Sequence, residues 1–149
     1  MVVLRPTLRR PVMNKLLVAY DGSEQAEKAF GQALEIASKF SSEIIVLSVA
    51  LPPEPPLAVE MEALIERAME HYGAQFERLR KSAESFGIEP RFELRAGHPA
   101  EQIVLMAEEE KVHAIVIGHR GGSFLQRWLL GSVAKRVLSY AHCTVIVVR

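Results

Sequence analysis

The chain has 149 residues and one cysteine, Cys143, so no disulfide can form within it. It has no run of the ~18 apolar residues that a membrane-spanning helix needs. Its clean apolar runs, Ile44–Leu47 and Val145–Val148, are far shorter. The apolar stretch of a secretory signal is also missing, and with it goes the expectation of a cytoplasmic location and no membrane partner. Neither charge is in excess. Basic and acidic residues number 18 each, which argues against a dedicated nucleic-acid binder. Aspartate and asparagine are almost absent: Asp21 and Asn14 are the only examples. No solenoid repeat exists, and the one biased stretch, Pro52-Pro53-Glu54-Pro55-Pro56, reads as a stiff loop. The five histidines show neither HxxxH nor HExxH spacing, so no structural metal site is expected. There is no GxxxxGK[ST] loop, and no GxGxxG follows the first apolar run. A receiver-type phosphoacceptor would want clustered aspartates, and this chain has one.

What is present is an ordinary globular balance, 49% hydrophobic and 24% charged. At this length it supplies a core without covalent staples. Residues 1–12 hold Arg5, Arg9 and Arg10 between Pro6 and Pro11. They read as a flexible N-terminal arm ahead of one domain over 13–149. Five apolar runs follow: Leu16–Tyr20, Glu43–Val49, Arg91–Leu94, Ala114–Ile117 and Thr144–Val148. Near-continuous apolar runs are what strands buried on both faces look like. The short, alternating third run belongs near an edge.

Helical patterns separate the runs. Ser23 can cap a helix to about Phe40, with Ala26, Ala29, Phe30, Ala33, Leu34 and Ala37 on one stripe. A long helix spans Leu57 to Phe86, stopped by Gly87, with Gly73 a candidate bend. Pro99 suits the first turn of a third helix reaching about Lys111. A fourth runs from near Ser132 to about Ala141. This alternation predicts an α/β fold, an open five-stranded parallel sheet with helices on both faces.

Ligands of such sheets sit at the strand carboxyl ends. Two segments fall there: Asp21-Gly22-Ser23, and Gly118-His119-Arg120-Gly121-Gly122. The second continues to Gly131-Ser132-Val133, giving the spacing Gly118-x2-Gly121-x9-Gly131-Ser132. Gly118 and Gly121 would let the backbone turn and approach a ligand. Gly131-Ser132 falls at a helix start, whose free N–H groups suit phosphate. Arg120 and Arg127 could reach the same charge. The alternative is a glycine-rich connection in which Ser132 only caps its helix. Asp21 has two readings as well, facing a ligand or capping the first helix.

The glycine–serine spacing resembles the ATP-binding signature of the universal stress protein family. Leu16-Leu17-Val18-Ala19-Tyr20-Asp21-Gly22-Ser23 resembles its opening strand and turn. Ala96-Gly97-His98-Pro99-Ala100-Glu101-Gln102-Ile103 resembles its third strand-to-helix turn. Leu129-Leu130-Gly131-Ser132-Val133-Ala134 and Val145-Ile146-Val147-Val148-Arg149 resemble its closing segment. His98, His119 and Thr144 depart from the usual residues, none of them at the glycines or Ser132. The resemblance implies a Rossmann-like sheet of the adenine nucleotide alpha hydrolase type, ordered 3-2-1-4-5. It implies a homodimer pairing through the last strand, Thr144 to Val148. It implies ATP, with AMP and ADP as alternatives and Mg²⁺ or Mn²⁺ carried by the nucleotide. The implied binding residues are Ala19, Asp21, Val49, Ile117, Gly118, Arg120, Gly121, Gly131, Ser132 and Val133.

No catalytic residue is assigned. If ATP were hydrolysed slowly, His119 is the base candidate, with Arg120 or Arg127 stabilising charge. His142 and Cys143 enter a strand as neighbours, so they point to opposite faces and make a poor nucleophile pair. Phe124, Leu125, Trp128 and Leu129 form an apolar stripe suited to packing or dimer contact, or to a lid. Glu108-Glu109-Glu110 reads as a solvated helix face. The expected function is a nucleotide-binding, dimeric stress-response regulator. The competing readings are a nucleotide-free dimeric scaffold and a slow ATPase.

Overall fold

The computed structural model describes residues 13–55, 57–119 and 129–149. Nine elements alternate along them: β1 (Lys15–Ala19), α1 (Glu24–Phe40), β2 (Glu43–Ala50), α2 (Ala58–Glu84), β3 (Arg91–Ala96), α3 (Pro99–Glu109), β4 (Ala114–Gly118), α4 (Ser132–Tyr140) and β5 (Thr144–Val148). The strands form one parallel sheet in the order β3-β2-β1-β4-β5. That is the doubly wound order expected from the resemblance. β3 and β5 are the edges, and their side chains are only half-buried.

The period-two alternation of strand side chains divides the core. Leu16, Val18, Ile44, Val46, Ala114 and Val116 pack beneath α1 and α2. Leu17, Ile45, Leu47, Ile115 and Ile117 face the opposite way, under α3 and α4. All are buried, and truncating such a side chain to alanine costs about 2–5 kcal/mol. The six apolar positions of the α1 stripe are buried as expected.

Helix ends explain where each crossover stops. Ser23 caps α1, its Oγ accepting from the Ala26 N–H at 3.1 Å. Gly87, at φ +66°, closes α2. Its N–H donates to the Glu84 carbonyl and that of Ile88 to Ala83, a left-handed C-terminal cap that favours glycine. Gly73 does not interrupt α2, which runs unbroken for 27 residues. Pro99 takes the first position of α3, where a missing N–H is harmless. No helix among the described residues is long and apolar enough to cross a membrane.

Candidate functional site

β1 has neighbours reached by crossovers in opposite directions, β2 on one side and β4 on the other. A crevice opens at the carboxyl ends where strand order reverses in this way. Here it is a cavity of about 260 Å³. Ala19, Leu47, Val49, Ile117 and Gly118 contribute from the strand ends, and Tyr20, Asp21, Ser23, Gln25 and Ala26 from the β1–α1 junction. Pro99 and Ile103 enter from α3, and Gly131, Val133 and Ala134 from the start of α4.

Most of the anticipated residues meet in this space: Ala19, Asp21, Val49, Ile117, Gly118, Gly131 and Val133. Ser132 adjoins it, exposed at the first position of α4. Arg120 and Gly121 lie outside the described residues, as do Arg127, Phe124, Leu125 and Trp128. The binding set drawn from sequence did not include Tyr20, Ser23, Gln25, Ala26, Leu47, Pro99, Ile103 and Ala134, although Ser23 was placed at the ligand end of the sheet. Pro99 carried a usable signal, because a helix starting after β3 must begin at the carboxyl end of the sheet.

The geometry sharpens two of the readings. Ser132 does not cap α4. Gly131 is the N-cap residue, its carbonyl accepting from the Lys135 N–H at 2.9 Å, and it has no side chain to bond the first turn. The Ser132 hydroxyl is therefore not consumed by capping. At Gly118 packing adds a requirement to the ligand approach anticipated. A Cβ there would lie 2.7 Å from the Gln25 carbonyl carbon and oxygen. Glycine is needed because the main chain of α1 presses on the end of β4.

Asp21 is an exposed turn residue. Its Oδ1 accepts from the Ser23 N–H at 3.0 Å, one step upstream of the helix cap. The carboxylate thus braces the turn while Ser23 does the capping. Asp21 is the only formally charged side chain among the described residues lining the cavity. Behind it, the Tyr72 phenol is pushed above its ordinary value by burial and by the Asp21 charge.

The opposite electrical sign comes from the backbone. The first N–H groups of an α-helix have no intrahelical partner, and its N-terminus carries partial positive charge. α1, α3 and α4 all present their N-terminal ends to the cavity. The first turn of α1 contains Glu24 and Glu27, and that of α3 contains Glu101. α4 has no side-chain cap and no acidic residue in its first turn. Its N-terminus is the least compensated of the three.

His119 is buried, and its backbone N–H donates to the Val148 carbonyl at 2.6 Å. It does not line the cavity, so the geometry does not set it there as a base. Cys143 is half-buried, and burial raises its thiol above the usual range. That is the character of a packed side chain rather than of a nucleophile.

The model of the universal stress protein family matches residues 13–149. The chain belongs to the universal stress protein family. Universal stress protein MJ0531 of Methanocaldococcus jannaschii is 36% identical over 142 residues, covering 91% of this chain and 81% of the relative. Among solved structures, universal stress protein UspA from Lactobacillus plantarum superposes with a TM-score of 0.78 at 26% identity, covering 92% of this chain and 98% of that one. Two universal stress protein structures that share the fold at lower identity hold nucleotides. One is a complex with cAMP (TM-score 0.73, 22% identity, 93% of this chain and 98% of that one). The other, from Archaeoglobus fulgidus, is a complex with dAMP (TM-score 0.63, 23% identity, 92% and 98%).

Proposed function

We propose that this universal stress protein binds an adenine nucleotide in the cavity at the strand carboxyl ends, with ATP as the first candidate and AMP and ADP as alternatives. The observation that carries the reading is the start of α4. A helix N-terminus with no side-chain cap and no acidic residue in its first turn opens onto a cavity at the switch point of the sheet. Such a terminus is a ready anion site. The two ends of the cavity suit the two ends of a nucleotide. At α4, the N–H groups of Ser132 and Val133 and the free Ser132 hydroxyl would donate to phosphate oxygens, beside Gly131. At the β1 end, Asp21 has a carboxylate oxygen left to accept from a hydroxyl or amine of adenosine. Ala19, Val49, Ile117 and Gly118 supply the apolar and main-chain surface between. Arg120 and Gly121 complete the proposed set from the glycine loop. Mg²⁺ or Mn²⁺ would arrive on the phosphates, because Asp21 is the only acidic side chain on the described wall.

The output we propose is regulatory. Nucleotide binding shifts a dimer between states that hold the ligand with different affinity. The dimer would form through β5, an edge strand with its outer side open among the described residues.

Freshly purified protein, denatured and examined by mass spectrometry, should release an adenine nucleotide. The emptied, refolded protein should bind Mg-ATP at micromolar to low millimolar concentration in calorimetry. A folded protein that releases no nucleotide and binds none at millimolar concentration would overturn the reading.

A further inference from the structure

Helix α2 contributes nothing to the cavity wall, yet it packs against the turn that does, at Tyr20 and Gly22. Tyr20, at the end of β1, is buried, with its ring against Tyr72 and Phe76 of α2 at 6.5 Å from each. Its hydroxyl donates to Glu27 Oε1 at 2.5 Å and accepts from Arg78 Nη2 at 3.3 Å. Arg78 also pairs directly with Glu27. Next in the chain, Asp21 lies close enough to Tyr72 for its charge to raise that phenol. At Gly22, φ is +82° and a Cβ would stand 2.7 Å from the Gln75 Oε1 atom of α2. On the sheet side, the buried Ser48 hydroxyl donates to the Tyr20 carbonyl at 2.7 Å.

We infer that Arg78 and Glu27 are positioning residues for the nucleotide, acting through the Tyr20 hydroxyl to hold the Asp21 turn and the first turn of α1 against the cavity. The inference rests on the proposed nucleotide reading of that cavity. The chemistry of the cluster supports it. An Arg–Glu pair at the surface contributes little to global stability; here Arg78 is exposed and Glu27 half-buried. Their shared partner is a buried phenol adjoining the one charged side chain of the described wall. Glu27 stands in the first turn of α1, whose cap residue Ser23 also lines the cavity. The three groups therefore join β1, α1 and α2 where their relative placement decides the shape of the site. A site held loosely by its supporting groups loses affinity without losing its fold.

The test compares wild-type protein with Tyr20→Phe, Arg78→Ala and Arg78→Lys, and with Lys28→Ala as a control. Lys28 forms an exposed pair with Glu24 on α1. Two readouts are taken on each: Mg-ATP affinity by calorimetry, and amide exchange of residues 21–25 without ligand. Tyr20→Phe and Arg78→Ala should weaken ATP about tenfold and speed exchange across 21–25, with Arg78→Ala melting near wild type and Tyr20→Phe a few degrees below it. Arg78→Lys should recover most of both, and Lys28→Ala should change neither. Wild-type affinity and wild-type exchange in Arg78→Ala and Tyr20→Phe would overturn the inference. If wild-type protein binds no nucleotide, the proposed function falls and the positioning role falls with it. The exchange readout then shows separately whether the tether exists.

Discussion

At the amino ends of the strands, charged side chains pair with one another. Lys15 of β1 reaches Glu43 of β2 at 3.8 Å and Glu110, just past α3, at 3.6 Å. Arg91 of β3 pairs with Glu93 at 3.2 Å and also with Glu110. Arg95, towards the other end of β3, reaches Glu109 at 2.5 Å, and His142, just before β5, lies 3.9 Å from Glu108. The three-glutamate run is the solvated face expected from sequence at Glu108 and Glu109, and its members also pair with neighbouring cations or His142. At the carboxyl ends, the described cavity has one formal charge, and its remaining polarity comes from helix N-termini. The groove at the amino end is the larger, about 510 against 260 Å³. Volume alone would choose the amino end. The charged groups Glu43 and Arg91 on that groove already have partners, whereas the N–H groups opening α4 have none within the helix. A site is marked by unspent hydrogen-bonding capacity in a shaped space.

Substitutions can break this contrast, and the largest expected effect is at Gly118. Gly118→Val sets a side chain against the Gln25 main chain, which cannot swing aside. We expect a loss of about 2–3 kcal/mol in urea unfolding. A variant as stable as wild type would mean that α1 and β4 are not in contact as described. Next comes Gly131→Glu. The φ of −60° and ψ of 153° at Gly131 suit any residue, and a carboxylate at a helix N-terminus favours the helix. The fold should therefore survive, with its melting temperature unchanged or higher. Mg-ATP affinity should fall by about a hundredfold, since the new carboxylate would occupy the place of the phosphates and repel them.

At the amino end, Glu110→Gln should cost under about 1 kcal/mol, because the pairs it breaks are partly exposed. Even that difference should shrink in high salt. The smallest and sharpest comparison is in pH. Hydrogen bonding to Arg91, and the charges of Arg91 and Lys15, hold the Glu110 carboxyl below its ordinary value of 4.5. Its stabilising share is present above that value and is lost as pH falls through the lower folded value. Burial and the Glu27 carboxylate push the Tyr20 phenol far above its ordinary 10.0. Its share is present below pH 10 and is lost as pH rises beyond it. Unfolding free energies of Glu110→Gln against wild type should converge in acid. Those of Tyr20→Phe should converge with wild type only in strong alkali. A difference that does not vary with pH in either pair would contradict the assigned partners.

The sheet was legible in the sequence because central strands must be apolar on both faces. Leu16–Val18, Ile44–Leu47 and Ala114–Ile117 could belong nowhere else. α1 was legible from a serine cap followed by a stripe at helical spacing. The edges blurred: β3 reaches Ala96, two residues beyond the apolar pattern, because a half-exposed strand tolerates Arg95. Much of the site could be anticipated from its spacing, but its reasons could not. Gly118 is fixed by Gln25, far away in the chain. Tyr20 is tied to Arg78, 58 residues on. Such contacts depend on how layers pack, and local patterns do not encode them. Whether Gly131 or Ser132 caps α4 is a shift of one residue, finer than periodicity resolves.

The central claim is that the carboxyl end, and not the larger amino-end groove, receives the nucleotide. Titrating Mg-ATP into isotope-labelled protein and following backbone amide shifts tests it directly. The account predicts saturable shifts at Asp21, Ser23, Gly118, Ser132 and Val133, with Ser38, Glu43, Glu89 and Arg91 unmoved. Shifts confined to the amino-end residues, or none at either end at millimolar ATP, would contradict it.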